Sequence, residues 1–226
     1  MVQQIVMMLV FIFVSYASTP AFAENAWFKK IGEAANSRME AAKSVSLGDT
    51  KLGEGLKEAL KVGIDNAVKA TSKTDGFFSN DLIKINMPPK LQMIEKPLRT
   101  MGFSKQIDEF VLSMNRAAEK AAPGAQEIFL DAIVGLNIKD AQSLFKGGPT
   151  AATDFLKSKT YGKLQKQFAP VITKALAEYD VTGKYQQIIS RYQQMPFAQK
   201  FPAPSVEEYV VGKSLDGLFK VLAQEE

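Results

Sequence analysis

The chain has 226 residues and a net charge of +4, and its 46% hydrophobic and 23% charged residues are typical of a folded globular protein. It contains neither His nor Cys, which excludes triads with a His base, Cys nucleophiles, disulfides, and zinc, copper or haem sites of the usual ligand types. No Gly-rich phosphate loop of the Walker or Rossmann pattern is present. We therefore expect no metal and no cofactor.

Residues 1–23 have the pattern of a secretory signal peptide. A charge-free apolar run extends from Ile5 to Ala17, and small residues follow at Ala21 and Ala23. The run is shorter than the roughly 20 residues that cross a bilayer. No Lys or Arg precedes it, so an uncleaved membrane anchor is the alternative. The pattern predicts export, and an exported chain without disulfides suits a bacterial periplasm. Export argues against a nucleic-acid partner, and the basic charge allows at most peripheral association with a membrane.

The remainder predicts an all-α protein. In residues 24–48, apolar positions such as Trp27, Phe28 and Ile31 share one face, which indicates an amphipathic N-terminal helix followed by a linker. Residues 49–226 predict a single globular domain of about eight or nine mostly short helices. In chain order these helices are expected near 55–70, 89–102, 104–121, 123–136, 137–146, 150–161, 163–179, 182–195 and 205–224. A short extended piece is expected at 83–87, and a kink or break at Pro170.

Several stretches of the chain match a known family in order along the sequence. The matching pieces are GLKEALKVG (55–63), DGFF (75–78), EKPLRTMGF (95–103), LSMNRAAEKAAP (112–123), IFLDAI (128–133), GGPTAATDFL (147–156), YV (209–210) and LDGLF (215–219). The chain thus resembles the bacterial family called domain of unknown function 4197. The resemblance implies an exported bacterial protein and no particular activity. Relatives are often lipoproteins, a route that is closed here because Cys is absent.

A group of polar residues interrupts the apolar pattern in two predicted helices. At 100° per residue, Asn115 and Glu119 lie between two apolar flanks of the 104–121 helix, with Arg116 beside them. The next helix is apolar in nearly every direction, which predicts a central helix and a buried Asp131. Only four of the 28 basic residues are Arg, whose fork binds a carboxylate bidentately. We therefore expect Asp131 to pair with Arg116, or less favourably with Arg99.

The candidate polar cluster therefore contains Arg99, Asn115, Arg116, Glu119 and Asp131. A structural network of ion pairs and hydrogen bonds is the favoured interpretation, and a ligand anchor or a catalytic group is the alternative. No catalytic residue can be assigned. The chain is interpreted as an exported envelope protein that serves as a non-catalytic binding module for a partner protein or an apolar ligand. The alternative is a carboxylate-dependent hydrolase acting on an envelope polymer, which needs two carboxylates facing one open cleft.

Overall fold

A computed structural model gives the fold and describes residues 51–195 and 205–226. The all-α prediction is confirmed for these residues, which contain no strand. The α-helices are α1 (51–72), α2 (Pro89–Thr100), α3 (Ser104–Ala121), α4 (Ala125–Val134), α5 (Ile138–Phe145), α6 (Ala151–Glu178), α7 (Val181–Gln193) and α8 (Val206–Gln224), with a short 3-10 helix at Ala122–Gly124. The predicted signal peptide and N-terminal helix lie outside the described residues. The helix count for the whole chain therefore stays a prediction.

Two helices organise the core. α3 packs against α2, α6, α7 and α8, and α6 packs against α3, α4, α5, α7 and α8. Four phenylalanines are among the largest fully buried side chains, namely Phe77, Phe110, Phe129 and Phe168. Three of them are on different helices, and Phe77 is in the segment that connects α1 and α2. Burial of aromatic surface therefore stabilises the packing of this segment together with the helices.

α6 is one continuous helix of 28 residues, so the predicted separation at Gly162 is wrong, as is a break at Pro170, while a kink there stays a prediction. Both residues are exposed, and buried side chains recur almost every turn on the opposite face. The buried row contains Leu156, Thr160, Leu164, Phe168, Ile172 and Ala175. Tertiary packing along this row outweighs the local cost of one Gly and one Pro in the helix.

The segment between α1 and α2, residues 73–88, has an irregular backbone and is hydrogen-bonded to α3. It begins with a tight turn in which a Cβ on Gly76 would lie 2.5 Å from the Ala70 carbonyl oxygen. It is also close to α8, where a Cβ on Gly217 would lie 2.6 Å from Cε1 of Phe77. Glycine at these two positions allows the segment to lie directly against the helices.

α4 lies at the surface, which contradicts its predicted central position. Its buried residues are Ala125, Phe129 and Ile133, which form one stripe. Val134 is 70% exposed, and Ile128, Leu130 and Ala132 are only partly buried. A helix with apolar residues around its whole circumference, such as α4, therefore need not be packed against other elements on every side.

Candidate functional site

Asn115 on α3 is fully buried and binds the backbone of the 73–88 segment. Its Oδ1 accepts a hydrogen bond from the Ile85 amide at 2.9 Å, and its Nδ2 donates to the Ile85 carbonyl at 2.8 Å. Nδ2 also donates to the Val111 carbonyl at 2.8 Å. A carboxamide carries both a donor and an acceptor, so Asn115 satisfies the N–H and the C=O of one residue in a backbone that has no strand partner.

Glu119, one turn further along α3, binds the same segment through its backbone amides. It is 5% exposed, and its Oε1 accepts from the amides of Phe77 at 3.1 Å and Phe78 at 3.2 Å. Its Oε2 accepts from Arg116 Nη1 at 2.6 Å. Both oxygens of this carboxylate are therefore engaged, one by the segment and one by a cation.

Arg116 extends the network to the start of the segment. Its Nη2 donates to Oδ1 of Asp75 at 2.7 Å, and Asp75 has a left-handed backbone with φ of 65°. Partial burial lowers the pKa of Arg116, but its hydrogen bonds to Glu119 and Asp75 outweigh this effect and raise the pKa above its ordinary value. The guanidinium therefore keeps its charge and connects two carboxylates on different elements.

We call Asn115, Arg116 and Glu119 the α3 clamp. These three predicted residues meet on one face of α3, and their side-chain hydrogen-bond partners among the described residues belong to α3 itself or to residues 75–85. The clamp lies beside the buried Phe77, so it holds a core-forming segment in place. Since its polar atoms are occupied by the chain itself, the geometry favours a stabilising role over ligand binding.

Asp131 does not join the clamp, and its predicted burial and pairing with Arg116 are wrong. Asp131 is exposed on the outer side of α4, and no basic group of the described residues lies within 4 Å of its carboxylate. The burial of α4 is confined to its Phe129 stripe, and Arg116 is committed to Asp75 and Glu119. The carboxylate can therefore remain solvated without a partner.

This placement predicts that Asp131→Ala changes the free energy of unfolding by no more than about 0.5 kcal/mol, as is usual for exposed positions. Urea denaturation of both proteins gives the difference directly. A loss of several kcal/mol would show that Asp131 is paired in solution.

Arg99 lies in a separate arrangement between α2 and α3. Its Nε donates to Glu95 at 3.0 Å, and its Nη2 lies 2.7 Å from Oδ1 of Asp108. The hydrogen bond to Asp108 is the largest influence on the pKa of Arg99 and raises it, against the effect of partial burial. Arg99, Glu95 and Asp108 line a cleft of about 350 Å³. The lining also includes Lys84, whose Nζ is 4.2 Å from the centre of the Phe78 ring.

A second opening, which sequence reasoning missed, lies at the junction of α1, α5, α6 and α8. We call it the Leu60 groove; its volume is about 210 Å³. It is lined by Leu56, Ala59, Leu60, Gly63, Leu144, Ala152, Thr153, Leu156, Leu222, Glu225 and Glu226. Most of these side chains are apolar. Among the described residues that line the groove, the charged ones are Glu225 and Glu226.

The two glutamates are held in place by neighbouring helices. The Glu226 carboxylate accepts from the amides of Ala152 at 2.7 Å and Thr153 at 3.1 Å, at the start of α6. A carboxylate is favourable there because the first amides of a helix lack backbone partners. Oε2 of Glu225 accepts from Asn66 Nδ2 at 2.8 Å. The groove therefore has fixed negative charge beside an apolar floor.

Within residues 51–195 and 205–226, no group of three or more acidic side chains is arranged to hold a metal ion. None of the helices described there has the length and hydropathy needed to cross a bilayer.

The fold and the α3 clamp together define an all-helical domain in which a connecting segment is fixed by side chains of a buried helix. Residues 46–226 match the family described as "Protein of unknown function (DUF4197)". Because this match covers most of the chain, the chain belongs to that family. No curated protein and no solved structure gives a significant match.

Proposed function

We propose that this protein is a non-catalytic binding module of the bacterial envelope, and that its binding site is the Leu60 groove. The observation that carries the proposal is the lining: apolar side chains of four helices meet at an opening whose charged residues, among those described, are Glu225 and Glu226. A concave apolar surface with a few fixed polar groups is the usual form of a binding site.

The size of the groove favours the anchor of a partner protein over a complete small-molecule ligand. Small-molecule sites commonly measure about 300–1,000 Å³, whereas this groove measures about 210 Å³. One large aliphatic or aromatic side chain fits such a volume, and buried anchors of this kind dominate the energy of protein interfaces. The acidic rim favours a partner segment with Lys or Arg beside the anchor.

The envelope part of the proposal is supported by the sequence. The apolar run from Ile5 to Ala17 and the small residues Ala21 and Ala23 fit an export signal, and the exposed lysines fit at most peripheral contact with a membrane.

The alternative, a carboxylate-dependent hydrolase, has less support. Glu95 and Asp108 line one cleft, as such an enzyme requires, but Arg99 binds both carboxylates. Both carboxylates are thus already engaged by one cation of the chain itself. The arrangement therefore resembles a structural ion-pair network more than an acid and base pair.

The groove predicts preferential binding of an apolar cation. We expect 1-naphthylmethylammonium to bind saturably with one site per chain, and to bind about fivefold or more tightly than 1-naphthylacetate because Glu225 attracts the ammonium group. Ala59→Arg should abolish this binding, since Ala59 is an exposed lining residue and the long side chain would fill the groove and neutralise its rim. Probe fluorescence titrations measure both effects.

Val62→Arg is the matched control. Val62 is on the same helix and is 54% exposed, but it does not line the groove, so this variant should bind the ammonium probe as the wild type does. Equal binding of the two probes, or equal binding by the Ala59→Arg variant, would contradict the proposed site.

A further inference from the structure

The outward face of α6 carries a row of lysines. Lys159, Lys163, Lys166 and Lys174 are all exposed. At 100° per residue they lie within an arc of about 80°, and at 1.5 Å per residue they extend along about 22 Å of the helix. We call these four residues the lysine row.

Among the described residues, the lysine row lacks the acidic partners that several other lysines have. Lys61, Lys69, Lys105 and Lys120 each lie within ion-pair distance of a carboxylate. None of the four row residues does so among the described residues, and α6 has no acidic residue between Asp154 and Glu178.

The ends of the row have identifiable neighbours. Lys159 Nζ lies 5.5 Å from the centre of the Phe155 ring. At the other end, Glu178 pairs with Lys120, which lowers the pKa of Glu178, and Lys174 contributes to the same effect more weakly. Among the residues that the structure describes, neither an ion pair nor a cation–π contact involves Lys163 or Lys166, in the middle of the row. The positive charge is therefore least compensated at the centre.

Such a row is electrostatically unfavourable for the isolated helix. Lys159 and Lys163 are four residues apart, and Lys163 and Lys166 are three apart, which are the spacings at which like charges on a helix repel each other. Anionic groups spaced along the helix would relieve this repulsion and release their own counterions.

We propose that the lysine row binds a linear polyanion, a polymer that carries phosphate groups along its length. A single narrow row matches a line of negative charge. A membrane contact is less favoured because helices that bind bilayer surfaces also insert large apolar residues. The exposed large hydrophobic residues of the described chain are all outside α6, namely Val62, Leu82, Met93, Met101, Val134, Ile138 and Phe145. The aromatic ring beside the row, Phe155, is half-buried and lies under Lys159, so it offers little surface on which a nucleic-acid base could stack.

The test is a titration of end-labelled inorganic polyphosphate with the full chain, followed by fluorescence anisotropy. With four contacts, we expect raising NaCl from about 50 to 200 mM to weaken binding about 50-fold. Replacing all four row lysines by Gln should weaken binding more than about 20-fold at the lower salt concentration. Replacing them by Arg should preserve it, because Arg keeps the charge.

A control with the same net charge separates the row from the overall basicity of the chain. It replaces by Gln four exposed lysines of other helices that have no ion pair among the described residues: Lys51, Lys90, Lys96 and Lys139. This control should bind polyphosphate within about threefold of the wild type.

Equal losses in the two Gln variants would overturn the proposal, as would absence of polyphosphate binding by the wild type. Binding confined to anionic phospholipid vesicles would also overturn it and would identify a membrane contact instead. Binding by the groove and binding by the row can fail separately, since Ala59→Arg alters only the first.

Discussion

We expect Glu119→Ala to lower the free energy of unfolding by about 3–5 kcal/mol, because it removes the buried member of a charged pair. The substitution leaves the amides of Phe77 and Phe78 without their side-chain acceptor, and Arg116 loses the partner that lies 2.6 Å away. Urea denaturation followed by circular dichroism measures the loss.

Glu109→Ala is the control. Glu109 is on the same helix, but it is exposed, and its ion pair with Lys105 is long, at 3.9 Å. We expect it to change stability by no more than about 0.5 kcal/mol. If Glu119→Ala were as mild as this control, the α3 clamp would not be stabilising, and a functional role for its residues would become the better interpretation.

Asn115→Ala should lower the free energy of unfolding by about 2–4 kcal/mol, because it leaves a buried donor and a buried acceptor of Ile85 unsatisfied. The amide of Ile85 should also exchange with solvent faster than in the wild type, since its hydrogen bond is to this side chain. Denaturation gives the first quantity and hydrogen exchange followed by NMR gives the second.

Asn66→Ala provides the comparison, since Asn66 is exposed and binds Glu225 at the surface. Its effect should remain within about 0.5 kcal/mol. An Asn115 variant with wild-type stability and an unchanged Ile85 exchange rate would show that this hydrogen-bond pair is not formed in solution.

Helical periodicity was sufficient to predict the buried face of α3. Ile107, Phe110 and Met114 are fully buried as the spacing indicates, and the polar residues Asn115 and Glu119 are also buried on that helix. Their partners could not be predicted. They are amides of Phe77, Phe78 and Ile85, and nothing in a local apolar pattern indicates which distant backbone groups lack a strand or helix partner.

The sequence-based predictions that are wrong share one physical cause, which is that packing between helices is not visible in a local pattern. The apolar neighbours of Asp131 predict its burial, but a residue of α4 is buried only where another helix packs against it, and Asp131 is exposed. Gly162 and Pro170 were expected to interrupt α6, but the packed row below them continues. The Leu60 groove was missed because Leu56 and Leu60 have the spacing of ordinary core residues, and the opening arises only from the way four helices pack together.

We propose that the protein binds through the Leu60 groove while the α3 clamp stabilises the fold. An NMR titration of the full chain with 1-naphthylmethylammonium tests both parts at once. The claim predicts that the methyl signals of Leu60, Leu144 and Leu222 shift and saturate, while the amides of Phe77 and Ile85 do not move. Shifts concentrated at those amides or around Arg99, with unchanged groove methyls, would contradict it and would place the working site at the polar cluster.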